Sequence, residues 1–329
     1  MATDPQTQAL LDMVNAEGNP QLFELSVADA RAALKQITLQ LDVEFCEVKE
    51  RRELMIPGAD GEIPVRIYWP EIKTEGAYDM VKNGKLPILL LYHGGGYALG
   101  DLDTHENISR YYCSQAQVIV INVGYRLSPE HKFPAGLEDC YAALCWAAAN
   151  AEQLNGDQNR IAVTGDSAGG NFSAVVCQQA MLRQGPKPVF QLLAYPSLNM
   201  DLSPPSNALY PSRQEFGRGG FFLSQNDLEW LSNMYFENPQ EECRSPLCSP
   251  ALTENLSGLP AALIITAGHD PLRDEGKIYA DRLAAAGVPV EYHCFESSIH
   301  GFMAFSGALD IAKDALELAV RSLRLNLHA

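Results

Sequence analysis

The sequence predicts an α/β fold, a mostly parallel sheet flanked by helices, and three features carry that prediction. Leu86–Tyr92 (LPILLLY) and Val118–Val123 (VIVINV) are almost unbroken apolar runs, the pattern of strands buried on both faces. From Leu86 onward, such runs alternate with segments of helical spacing, as in a parallel sheet covered on both sides. The chain of 329 residues is 47% apolar, ordinary for a folded protein and long enough to bury a core without disulfides.

The elements are predicted in this order. Leu10, Met13 and Val14 recur at helical spacing. Ser26-Val-Ala-Asp29 resembles a capping box opening a second helix through Leu34, Ile37 and Leu41. Strand-like runs at Glu47–Ile56 and Ile63–Trp69 meet at Asp60-Gly61, a hairpin turn signal. Residues 70–85 read as a polar loop. After the two buried strands, a helix is expected over Pro134–Ala149, with Pro in its first turn. Next come a strand at Arg160–Thr164, a helix at Ala168–Arg183 and a strand at Pro188–Tyr195. A strand at Ala261–Ala267, a helix at Leu272–Ala286 closed by Gly287, a strand at Val288–Phe295 and a helix at Ala308–Leu325 complete the alternation. Residues 199–250, rich in Ser, Pro, Asn and aromatics, interrupt the rhythm and read as an insertion above the sheet.

Charge narrows the function. Forty-one acidic against 24 basic residues give a net charge of −17, which argues against nucleic acid and against an anionic membrane surface. No apolar stretch approaches the roughly 20 residues of a membrane span. The start Met-Ala-Thr-Asp-Pro has neither the basic nor the apolar region of a secretory leader, so a cytoplasmic protein without stable membrane anchoring is expected. Eight scattered cysteines without a Cys-x-x-Cys pair read as buried thiols.

The chemistry concentrates in Gly165-Asp166-Ser167-Ala168-Gly169, a G-x-S-x-G sequence between a predicted strand and a predicted helix. So sharp a turn needs small residues on either side, and it lifts the Ser167 hydroxyl above the sheet edge. A hydroxyl needs a base to become a nucleophile. Asp270 follows the strand ending near Ala267, and His300 follows the strand ending near Phe295, the order Ser–Asp–His expected of this architecture. Asp274 is the rival acid, although its place suits a helix N-terminus; His269 and His293 read as structural. His93-Gly94-Gly95-Gly96 follows a buried strand. Gly94, Gly95 and Gly96, with Ala168, are the candidate backbone donors for an oxyanion. The loop lacks the Lys-Ser/Thr ending of a phosphate cradle, and His93 reads as a brace. Tyr97, Leu198, Phe216, Phe222 and Phe302 are candidate pocket walls. Arg126, Glu130 and His131 read as a structural network. Asp101-x-Asp103-x-His105 lacks the Gly and closing Glu of a calcium loop, so no metal is expected.

Together these segments resemble the hormone-sensitive lipase family of α/β-hydrolase esterases. The matching stretches are HGGGYALGDLDTH (93–105), GYRLSPEHKFPAGLED (124–139), GDSAGG (165–170), YP (195–196), GHDPLRDEG (268–276) and HGF (300–302), in the family's order and spacing. The resemblance implies a cofactor-free carboxylic-ester hydrolase of the α/β-hydrolase fold, with Ser167, Asp270 and His300 as its triad, acting on short- and medium-chain esters. It further implies a homodimer. Residues 1–45 and the 199–250 insertion correspond to the family's helical cap, and residues 46–329 to its catalytic domain. Two rivals accompany this reading. Arylacetamide-deacetylase relatives use the same machinery on amides. Plant gibberellin receptors resemble the family but lack the catalytic His, whereas His300 is present here within a full HGF.

Overall fold

The structure is a computed structural model that describes residues 2–43, 45–72 and 84–328. Most of the expected loop at 70–85 therefore lies outside the described residues.

In chain order the elements are α1 (Pro5–Val14), α2 (Val27–Leu41), β1 (Glu50–Pro57), β2 (Glu62–Trp69), β3 (Leu86–Tyr92), α3 (Glu106–Ala116), β4 (Ile119–Val123) and α4 (Ala135–Asn150). They continue with β5 (Gly156–Asp166), α5 (Ala168–Leu182), β6 (Phe190–Ala194), four insertion helices, β7 (Ala261–His269), α10 (Arg273–Ala285), β8 (Val290–Ile299) and α11 (Asp310–Leu327). The insertion helices are α6 (Pro204–Asn207), α7 (Pro211–Phe216), α8 (Gln225–Tyr235) and α9 (Pro239–Glu242). The eight strands form one sheet in the order β1-β2-β4-β3-β5-β6-β7-β8, antiparallel at β1–β2–β4 and parallel from β4 onward.

Both faces of the sheet are covered, and β3 shows why its sequence is apolar throughout. Ile88, Leu90 and Tyr92 enter the core under α4 and α5, while Leu89 and Leu91 enter the core under α3 and α11. Period-two alternation thus serves two cores. Because the strands from β4 to β8 run parallel, their C-terminal ends share one edge, which is where the loops carrying the candidate residues gather.

The largest boundary differences from expectation are at β5 and β8, and one helix outside the insertion is new. β5 begins at Gly156 and β8 runs on to Ile299, because polar residues at their ends hide the pairing in the ladder. Helix α3 has no sequence prediction. It starts at His105 without a side-chain cap and stops at Gln117 in the left-handed conformation (φ 57°), so both usual signals are missing. It also buries Ser109, Arg110 and Ser114, which breaks the apolar periodicity. The box at Ser26 is only half formed: Ser26 Oγ caps the Asp29 N–H, but the Asp29 carboxylate accepts the Ser26 hydroxyl.

The expected network of Arg126, Glu130 and His131 is instead two separate ties. Arg126 forks onto the fully buried Asp139, and Glu130 pairs with Arg31 of α2. Asp101 and Asp103 both receive Lys35 of α2. No group of side chains suited to a metal occurs among the described residues. Cys46, Cys145 and Cys294 are only half-buried, because they lie at the outer margins of the packing.

The N-terminal helices and the insertion meet above the C-terminal edge of the sheet. Leu22, Leu25, Val27 and Leu34 pack on Leu231, Met234, Ala98 and Leu99, a small apolar cluster separate from the two sheet cores. Phe23 N–H donates to Asp227 Oδ1 at 3.1 Å, fixing the N-terminal segment to α8. The insertion is rooted in the core by Arg213 and Glu275, which are 1% and 0% exposed. Glu275 also accepts the Leu198 and Asn199 amides.

Removing one member of such a pair leaves a buried charge uncompensated. Arg213→Ala is expected to lower stability by about 3–5 kcal/mol in urea unfolding, and Arg213→Met with Glu275→Leu to restore most of it.

Candidate active site

The site is built at the turn from β5 into α5. A Cβ on Gly165 would lie 2.4 Å from the Gly169 backbone, and one on Gly169 would lie 1.8 Å from the Tyr92 carbonyl oxygen. Only glycine permits three backbones to converge this closely. Ser167 sits at the apex with φ 53° and ψ −115°, a conformation that L-residues disfavour and that the surrounding packing must hold. Its N–H donates to Ala194 O at 2.9 Å, pinning the apex to β6.

His300, on the loop after β8, approaches Ser167 Oγ with Nε2 at 3.0 Å. Its Nδ1 lies 2.8 Å from Asp270 Oδ2. Asp270 is fully buried at the end of β7, and its Oδ1 accepts the Leu272 N–H at 2.8 Å, which fixes the carboxylate plane. The structure thus joins Ser167, His300 and Asp270 in one chain of hydrogen bonds. Asp274 is turned elsewhere, accepting Ser212 N–H and Arg273. His269 stacks on Phe221, and His293 packs against Phe295.

Of the four expected backbone donors, Gly95, Gly96 and Ala168 have amides with no hydrogen bond to the described chain. Gly94 differs, because its N–H is already held by Asp166 Oδ1 at 2.8 Å. A Cβ on Gly95 would meet Leu99 O at 2.3 Å, so this glycine keeps the loop closed on itself.

Asp166 is the site residue that sequence reasoning missed. The G-x-S-x-G pattern leaves this position open, so no motif marks it. The same Oδ1 lies 2.9 Å from His105 Nε2, and the carboxylate therefore ties the glycine loop, α3 and the Ser167 turn together. Burial raises the Asp166 carboxyl, but the His105 imidazole and the Gly94 N–H outweigh it and leave it below the usual range. Burial lowers His105, and Asp166 outweighs that, leaving it raised. His93 has no such partner. Burial and the neighbouring His105 push it down to about 4, so it is a neutral brace bonded to Gly94 O and stacked on Tyr125.

Around Ser167 lies a cavity of about 100 Å³, walled by Leu22, Leu34, Leu99, Phe222, Leu231 and Phe305. Of the five expected wall residues only Phe222 is in place. Tyr97 stacks on Tyr235 at 4.0 Å, and Leu198 is fully buried in the core below the insertion. Phe216 packs on Phe221 and His269, while Phe302 fills the space between Tyr195 and Phe295. The real walls come from α2, α8 and the segment before α2, whose aliphatic residues are indistinguishable by sequence from ordinary helix packing.

Residues 89–304 match the family model described as alpha/beta hydrolase fold. The chain belongs to this family. Its relatives there are carboxylesterases of the hormone-sensitive lipase type. The chain is 39% identical to the esterase LipI of Mycobacterium tuberculosis, covering 99% of this chain and 96% of that protein. It is 40% identical to the carboxylesterase NlhH of the same organism, covering 99% and 97%. An ester hydrolase from the Lake Arreo metagenome, solved with a bipyridine phosphonate derivative, superposes with a TM-score of 0.89 at 35% identity, covering 99% of both chains.

If Asp166 positions the glycine loop of this α/β-hydrolase, Asp166→Ala should lower kcat by about 10²-fold with KM little changed, approaching the loss of an oxyanion donor. Asp166→Asn keeps an acceptor for Gly94 and should lose less. The charge pair also titrates. Its His105 contribution is complete below the unfolded imidazole value of about 6.5 and is lost as pH rises through the raised folded value. Nitrogen-detected NMR should find His105 protonated to higher pH in the wild type than in Asp166→Asn.

Proposed function

We propose that this protein is a serine carboxylesterase that hydrolyses short- to medium-chain carboxylic esters through an acyl-Ser167 intermediate. The observation that carries this reading is the continuous chain Ser167 Oγ–His300 Nε2 at 3.0 Å and His300 Nδ1–Asp270 Oδ2 at 2.8 Å.

In this reading His300 Nε2 accepts the Ser167 proton as Oγ attacks the ester carbonyl carbon. Asp270 fixes the tautomer with the proton on Nδ1 and stabilises the imidazolium that forms. The carbonyl oxygen becomes an oxyanion that the Gly95, Gly96 and Ala168 amides receive; Ala168 adds the positive end of α5. When the tetrahedral intermediate collapses, His300 gives the proton to the departing alkoxide. Water then repeats the sequence on the acyl-enzyme and releases the acid. No step requires a cofactor.

The substrate class is supported by the cavity. Its walls are aliphatic and aromatic, and about 100 Å³ suits a small apolar group. A short ester limb fits, whereas a charged limb would lose its hydration against the leucine and phenylalanine walls. The family resemblance extends the reading to a cytoplasmic homodimer, and sedimentation at twice the monomer mass would check the assembly.

Ser167→Ala should lower the turnover of p-nitrophenyl butyrate by about 10⁴-fold or more. A fluorophosphonate should label Ser167 in the wild type, located by mass spectrometry of the digest. An unlabelled Ser167, or a variant with wild-type turnover, would remove the assignment.

A further inference from the structure

Directly behind the cavity at Ser167 lies a second one of about 190 Å³, roofed by α1, α2 and the segment before α8. The two share Leu22, Leu34, Leu99, Phe222 and Leu223 as a common wall. Four of these are leucines. Phe222 is the one aromatic, and its backbone is unusual: φ is 74°, a conformation costly for a bulky side chain. It follows Gly219 (φ 99°) and Gly220 (φ 87°), whose Cβ positions face open space. The ring lies 3.5 Å from the Cβ position of Gly301, beside His300, and stands edge-on to Phe305 at 5.2 Å. The polar groups at the far end are engaged with each other, since Asp227 accepts Phe23 N–H and the Ser224 hydroxyl. What remains facing the second space is largely apolar.

We infer that this second space is a chamber for the distal apolar limb of longer ester substrates, and that Phe222 is the partition that sets the chain-length limit. The inference rests on the esterase reading. A cavity of about 150 Å³ holds six-carbon benzene, so by proportion the inner chamber takes about four carbons and the outer about eight more. A longer limb must therefore pass Phe222 or remain in water. The Gly219–Gly220 segment supplies the freedom for the ring to turn aside, and its position beside His300 puts the partition at the reacting centre.

The test uses Phe222→Gly, which removes the partition and suits the positive φ, and Ala33→Trp, which fills the outer chamber from an exposed position of α2. Two substrate series separate the limbs: p-nitrophenyl esters of acids from acetate to decanoate, and acetates of alcohols from ethanol to decanol. Within the inner chamber kcat/KM should rise about fourfold per methylene buried and flatten beyond about four carbons in the wild type. Phe222→Gly should extend that rise by four or more carbons in one series, which names the limb. Ala33→Trp should lower the long-to-short ratio in the same series by tenfold or more. Unchanged length profiles in both variants would overturn the partition while leaving the esterase intact. A wild type that hydrolyses no short ester would overturn the esterase reading and the partition with it.

Discussion

Everything at this site depends on three backbones being closer together than side chains allow. Tyr92 at the end of β3, Gly165 at the end of β5 and Gly169 in the first turn of α5 converge within van der Waals contact. That convergence makes the strand-to-helix turn sharp enough to hold Ser167 at a positive φ, and it sets the glycine loop after β3 beside the hydroxyl. Pinning of the Ser167 amide to β6 transmits the rigidity of the central strands to the apex. A nucleophile and its oxyanion donors must be fixed relative to each other before substrate arrives, since reorganising them during the reaction would add to the barrier. The parallel sheet supplies this registration at no further cost, because its strand ends already share one edge.

Electrostatics then divides the polar side chains into those that carry charge and those that must not. Asp166 and His105 carry it together, out of bulk water, and position the loop through a single carboxylate oxygen. His93, two residues from the Gly95 donor, is kept neutral by burial and by His105. The −17 net charge of the chain plays no part at this scale, as solvent screens it beyond about 8–10 Å.

The legible parts of the sequence were those set by local backbone demands. Apolar runs such as LPILLLY named the buried strands, and the glycines of G-x-S-x-G and His-Gly-Gly-Gly named the close approaches. Asp270 and His300 could be found because each follows a strand on the same edge. What escaped notice was set by tertiary contact. Helix α3 lacks both end signals and buries polar side chains. Asp166 occupies a position that its motif leaves free. Tyr97, Leu198, Phe216 and Phe302 look like pocket-wall residues but are buried in packing away from the cavity, while the leucines that line it have the spacing of any amphipathic helix. Pocket composition depends on which helix faces which, and one-dimensional spacing does not encode that.

The ties of α2 to the loops beneath it have a further consequence. Arg31–Glu130 and Lys35 with Asp101 and Asp103 are partly exposed ion pairs, between about one-third and one-half accessible. Such pairs contribute about 0–1 kcal/mol each and weaken in brine. The leucine cluster of α2 and α8 responds oppositely, since excluded salts such as sulfate strengthen apolar burial. The roof is therefore held by two adhesives of opposite salt response, and its seating over Ser167 is buffered against changes in the ionic medium that would loosen a roof held by either alone.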